Sequence, residues 1–341
     1  MPWILAGVLS AVSITLVLIL VLFPSPDEPT QKTLKEGYLD YINSSVTPAA
    51  IGVNVSNPEA NAAIHYHKAN VKYFPTHVKS KEFIRNISKW NEKYVDGEKV
   101  ILKGKALRTC KDIYELCKPG FSCGKFDYFT PFSPKDFRDF ALGCYSRDPV
   151  GTDQLNNIAQ ALQLLGVHYI SKGNYKKGMQ ILKDRAMLGY QMSVSKNRAG
   201  MRLTGLEILK LALTDLANFT TVQADNKKYR ELYDSAQSAF LDINSKYMDM
   251  WSINDECTGL NLDPGDLFNI IENDKDPAFV ADACLLLGGL KTYVQSRGNR
   301  RHIEKLFERY KDSKYPAVKA AIKVARDDIK AMQDFIDDNR G

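Results

Sequence analysis

LNNIAQALQLLGVHYISKGNYKKGMQILKDRAMLGYQM, residues 155–192, decides the fold. It reads as two amphipathic helices joined at Gly173, a residue that lets the chain turn between them. Helical patterning resumes at Asp153 and runs almost to the end of the chain. RLTGLEILKLALTDLANF (202–219) adds a further amphipathic helix through Leu203, Leu206, Leu209 and Leu213. Residues 151–341 are therefore expected to form an all-α, helical-repeat-like region.

Towards the N-terminus, helices are expected again in residues 33–150. Leu34, Tyr38, Tyr41 and Ile42 share one face, and 43–57 then breaks the pattern with Ser, Pro, Gly and Asn. Asn57-Pro58-Glu59 carries a helix-start signature, with Asn as cap, Pro at the first position and Glu in the first turn. The helix EANAAIHYHKANVKYF (59–74) should follow and stop before Pro75. KEFIRNISKWNEKYV (81–95) places Phe83, Ile87, Trp90 and Tyr94 on one stripe. Residues 96–150 mix Gly, Pro, Cys and aromatics without sustained period, as a long ordered insert would.

Residues 2–23, PWILAGVLSAVSITLVLILVLF, contain no charged side chain. As a helix they would reach roughly 33 Å, enough to cross a hydrocarbon core of about 30 Å. The apolar run is longer than that of a cleaved signal peptide, and LVLFPSPDEP has no small-residue cleavage pattern, so a single uncleaved span is expected. A Pro-rich linker, 24–32, follows as a semi-rigid spacer. Lys32 and Lys35 after the span favour a cytoplasmic body, whereas the cysteine cluster favours an exported one. The cysteines decide for a single-pass membrane protein with its body on the extracytoplasmic (periplasmic) side.

The remaining 318 residues hold all 46 Lys+Arg and all 40 Asp+Glu, and a net +6 over that length is mild. It permits contact with anionic lipid or nucleic acid without arguing for either, and a nucleic-acid partner is not expected. Of the six cysteines, Cys110, Cys117, Cys123 and Cys144 crowd into 35 residues, compatible with one or two disulfides. Their spacings lack the short Cys-x-x-Cys knuckle of a zinc site. His65 and His67 are two apart in a helical pattern and so point about 200° apart, which keeps them and His77 from one metal. No motif for a metal, a cofactor or a catalytic group stands out. Residues 297–330 hold eleven Lys/Arg against five Asp/Glu, with a basic face expected from Arg297, Arg300, Arg301, Lys305 and Arg309.

Leu165-Gly166, Tyr169, Gly173, Tyr175, Gly178 and Leu182 resemble a tetratricopeptide (TPR) repeat unit in order and spacing. The resemblance implies close helix approach at the small residues and aromatics filling the groove between. Arg185 and Tyr190 depart from it, standing where the pattern has Ala and Pro. DPAFVADACLLLGGL (276–290) and YPAVKAAIKVARDDI (315–329) echo each other 39 residues apart and resemble a HEAT-type pair, which implies a helix through Ile303, Leu306, Phe307 and Tyr310 packed between them. Residues 58–220 resemble a group of uncharacterised membrane-anchored bacterial helical proteins, on NAAIHYHKA, SCGKFDYFTPF and GMQILKDRAMLGYQMSVSKNRAGMRLTGLEI. That resemblance brings no activity.

Three functions follow as expectations. The first is a binding or scaffolding module for a protein or peptide, since stacked helix pairs expose extended surfaces. The second is an enzyme with its site between the 96–150 insert and the helical body, using His168 or a carboxylate. The third is an anionic-surface binder through the 297–330 basic face.

Overall fold

The computed structural model describes residues 46–74, 89–90, 94, 99–127, 150–195, 198–256, 264–274 and 276–338. Among them the chain is all-α, apart from one pair of short strands. No helix among the described residues is long and apolar enough to cross a membrane; the expected span 2–23 and the linker 24–32 lie outside them.

The N-terminal part holds α1 (Pro48–Ile51), β1 (Asn57–Asn61), α2 (Ala63–Tyr73), α3 (Gly104–Cys117), a 3-10 turn (Lys118–Ser122) and β2 (Cys123–Lys125). Two expectations are corrected here. Asn57 does not cap a helix: residues 57–61 pair in parallel with 123–125, Asn57 opposite Cys123 and Asn61 opposite Lys125. The helix waits until Ala63, because Asn61 Oδ1 accepts from the amides of Ala63 (3.1 Å) and Asp127 (3.0 Å) and ties the two segments together. Gly124 permits the pairing, since a Cβ there would run into the Pro58 backbone. The insert is also more regular than its composition suggests: α3 fills its first half, burying Cys110, Ile113, Tyr114 and Cys117 on one face.

Helices α4 (Val150–Ser171), α5 (Tyr175–Ser193), α6 (Ala199–Phe219) and α7 (Gln223–Glu256) follow, each packed against the next. The α4–α5 joint falls at Gly173, whose φ of 80° suits the left-handed turn, and Asn174 caps α5 by accepting from Lys177 N–H. Glycines set the spacing on both sides of α5. A Cβ on Gly178 would lie 2.6 Å from the Gly166 carbonyl oxygen, and one on Gly189 would lie 2.5 Å from Leu209 N. Backbones this close put α4 and α5 in direct contact. Tyr175 is 39% exposed, whereas Tyr169 is partly buried against the core, with Lys177 Nζ of α5 4.4 Å from its ring centre.

The C-terminal part comprises α8 (Gly265–Asn273), α9 (Pro277–Gly289), α10 (Lys291–Val294), α11 (Arg297–Glu308) and α12 (Pro316–Asp338). The two echoing segments, α9 and α12, pack directly on each other rather than through an intervening helix. Their small side chains explain the difference: a Cβ on Gly288 would lie 2.6 Å from Ala325. Ile303, Leu306, Phe307 and Tyr310 are buried as expected, and the Tyr310 hydroxyl donates to the Ile271 carbonyl of α8.

Gly189→Ala should lower stability by about 1–3 kcal/mol, because the opposing atoms are backbone and cannot move aside. Gly298→Ala, at an exposed helical site with only Ser296 Oγ within reach, should be neutral or stabilise by up to about 1 kcal/mol. Thermal melts of the two variants check the contrast.

Candidate functional site

The junction between the insert and the helical body gathers several of the buried polar side chains among the described residues, Asp184, Gln191 and His168. Tyr114 of α3 donates to Asp184 Oδ2 (2.9 Å), and Gln180 donates to Asp184 Oδ1 (2.9 Å). Two helical turns further along α5, Gln191 accepts from the Tyr66 hydroxyl of α2 (2.5 Å) and donates to the carbonyls of Gly120 (2.9 Å) and Cys123 (2.7 Å). His168 of α4 accepts from the Leu102 amide at Nδ1 (3.1 Å), which leaves the proton of the neutral ring on Nε2. Helices α2 and α3, the 3-10 turn, β2 and the segment at Leu102 are thus keyed to α4 and α5 by buried polar groups.

Burial governs the ionisation here. Asp184 is pushed above the usual carboxylate range by desolvation, against the hydrogen bonds of Gln180 and Tyr114 that favour its charged form. The Tyr114 hydroxyl is pushed up by the same desolvation and by the neighbouring carboxyl. His168 is lowered by desolvation and by Lys172 and Lys111. This arrangement can retain a proton between Tyr114 and Asp184 and keep an imidazole neutral. Each of these groups also has an internal partner already in place.

On the side of α5 that faces α6, Arg185 pairs with Asp215 at 2.6 Å, both almost fully buried. Gln163 (2.9 Å) and the Tyr94 hydroxyl (2.6 Å) complete the carboxylate's shell. Tyr94 also stacks on Phe219 of α6, ring centres 6.3 Å apart. The departure of Arg185 from the small residue of a TPR pattern therefore has a cause: it carries a buried charge that a shorter side chain could not deliver.

A third set joins α6 to the C-terminal part. Asp282 of α9 accepts from Arg198 Nε (2.6 Å) and from Ala199 N–H (2.8 Å), so a carboxylate from another helix caps α6. Arg202 pairs with Asp276, which also caps α9 by accepting from Ala278 N–H (3.0 Å). Lys246 of α7 pairs with Asp274.

The residues singled out from sequence fall differently. Cys110, Cys117 and Cys123 are buried free thiols, and Cys144 lies outside the described residues. Burial pushes the Cys110 thiol up to about 12, and that of Cys117 higher still, which keeps both protonated. His65 and His67 lie on α2, and His77 is outside the described residues; among those residues no group of three or more His, Cys, Asp or Glu converges on one point. Of the expected basic face, Arg297, Arg301 and Lys305 are exposed, while Arg309 pairs with Glu272 at 2.9 Å. Arg300 turns back, donating from Nη1 to the carbonyls of Val294 and Gln295 at 2.8 Å each.

Sequence reading passed over Asp184, Asp215, Asp282 and Arg202. The available signal was a lone charge inside an apolar run, as in PAFVADACLLL, where burial forces a search for a partner. Compared with family models, curated proteins and solved structures, the chain matches none.

Arg185→Met should cost about 3–5 kcal/mol by leaving Asp215 charged and buried, and adding Asp215→Leu should recover much of that loss. Denaturant melts of the single and double variants measure both. For Asp184, a folded-state pKa above the unfolded value of about 3.9 means that the folded chain holds the proton more tightly. Its contribution is present below that value and is lost as pH rises through the folded pKa. Asp184→Asn should therefore remove a decline in stability on the alkaline side of about pH 4, read from melting temperature against pH.

Proposed function

We propose that the chain is a membrane-anchored helical scaffold whose stacked hairpins present a surface to a protein or peptide partner. The observation that supports this most is the outer face of α6 and α7, where Leu211 (49%), Leu241 (55%) and Met248 (56%) stand exposed. Leu241 and Met248 are two turns apart on one side of α7, and Leu211 adjoins Lys210, whose Nζ lies 3.9 Å from the centre of the Phe240 ring. Large apolar side chains grouped on neighbouring helices suit a partner that removes them from water. The succession α4 to α7, each helix packed on the next, is compatible with the TPR-like reading of repeated hairpins. Residues 2–23 supply the anchor in this reading, with the body on the extracytoplasmic side.

The enzyme reading draws on Asp184 and His168, which lie at the insert junction with shifted ionisation, as that reading requires. It is the weaker of the two, because the Asp184 carboxyl and His168 Nδ1 are taken up by Tyr114, Gln180 and Leu102.

Leu211→Asp with Leu241→Asp should change stability by no more than about 0.5 kcal/mol, since both side chains face water. The same double variant, purified from the source membranes beside the wild type, should lose a specific partner by at least about tenfold, a loss of about 1.4 kcal/mol. Identical sets of co-purifying proteins would count against the scaffold. A full-length chain released by carbonate washing would count against the anchor.

A further inference from the structure

The basic face on α11 is narrower than its composition, and this narrowing is informative. Arg300 and Arg309 are engaged within the protein. The carboxylates of the same helix are engaged too: Glu304 accepts from Arg326 of α12 at 2.6 Å, and Glu308 accepts from Arg326 at 2.8 Å and pairs with Lys311 at 3.3 Å. Arg297, Arg301 and Lys305 are left at i, i+4 and i+8, an exposed row about 12 Å long with no carboxylate partner among the described residues. Ile303, Leu306 and Phe307 bury the opposite side, so the row is held on a fixed helix.

Two further features bear on what meets this row. Its cations begin at the N-terminal end of α11, where the helix dipole already places positive charge, so they weaken the helix they sit on. Beside the row, exposed His302 stacks on Phe268 with ring centres 4.6 Å apart, and Tyr293 meets Phe268 edge-on at 6.0 Å. Cations flanked by half-buried rings match the level of a bilayer where headgroups meet acyl chains. Three cations are few for a nucleic acid, whose binding proteins commonly neutralise about six to ten phosphates. They are enough for a tethered body, since a tether raises the local concentration of the surface it must reach.

We propose that Arg297, Arg301 and Lys305 dock α11 on the anionic headgroups of a lipid bilayer. Three cations near such a surface strengthen partitioning by about a hundredfold at low salt. The contact weakens as salt shortens the reach of the charges to about 3 Å at 1 M.

The test uses the full-length chain with a photoreactive benzophenone residue at position 298. That position is open: a Cβ there would meet only Ser296 Oγ, at 3.7 Å. Vesicles of phosphatidylcholine alone, and of phosphatidylcholine with a third phosphatidylglycerol, are irradiated and lipid adducts are read by mass. The adduct yield should be at least about tenfold higher with phosphatidylglycerol. It should fall to the phosphatidylcholine level in high salt or in the triple variant Arg297→Glu, Arg301→Glu, Lys305→Glu. Equal yields in both vesicles, no adduct in either, or a yield unchanged by the triple variant would overturn the proposal. Displacement of lipid adducts by RNA adducts when single-stranded RNA is added would overturn it in favour of a nucleic-acid surface. Flotation with phosphatidylcholine alone reads the anchor separately, so failure of the anchor is distinguishable from failure of the docking helix.

Discussion

Helix α5 is enclosed on both flanks at backbone distance, and its interior charge, Arg185, must find Asp215 there or remain uncompensated. Desolvation alone would drive the guanidinium towards losing its proton, and the Asp215 carboxylate opposes that loss. Glycine contacts and ion pair are mutually dependent. Gly189 brings α6 close enough for a 2.6 Å bond, and the bond selects the register in which that glycine meets Leu209. Helices that slid by one turn would lose the charge match and the close approach together.

The same logic extends outward from α5. Gln191 reads the N-terminal part through Tyr66, Gly120 and Cys123, and Asp184 reads it through Tyr114. At the far end of α6, Asp282 and Asp276 engage Arg198 and Arg202. Polar contacts of this kind contribute little net stability, since desolvation offsets most of the attraction. Their effect is selective: an apolar seam tolerates sliding, whereas a buried donor left without its acceptor does not.

How legible this was in the sequence varied with the range of the interaction concerned. The helices of 151–338 and the turn at Gly173 follow from local pattern, and so does the cap at Asp276. The segment at Asn57 did not follow, because its partner lies 66 residues away in the Cys123–Lys125 strand and overrode a sound local helix-start signal. Gly166 and Gly178 were legible as allowances for close packing, but that they meet each other across the α4–α5 contact is not displayed by either position alone. Among the polar residues, Asp282 stood out as a lone charge in an apolar run, yet its partner Arg198 looked like any surface arginine. Two of the five basic-face residues, Arg300 and Arg309, vanished likewise into contacts with backbone carbonyls and Glu272, which no linear pattern displays.

The strand pair β1–β2 has a topological consequence. By joining residues 57–61 to 123–125 side by side, it closes the intervening chain into a clasped ring at its base. A protease that nicked this ring between Tyr66 and Tyr114 would sever the covalent path while the strand ladder still joined the two pieces, one of them bonded to α5 through Tyr66 and the other through Tyr114. Such a nicked molecule would migrate as one particle under gentle conditions and separate into two pieces only when denatured.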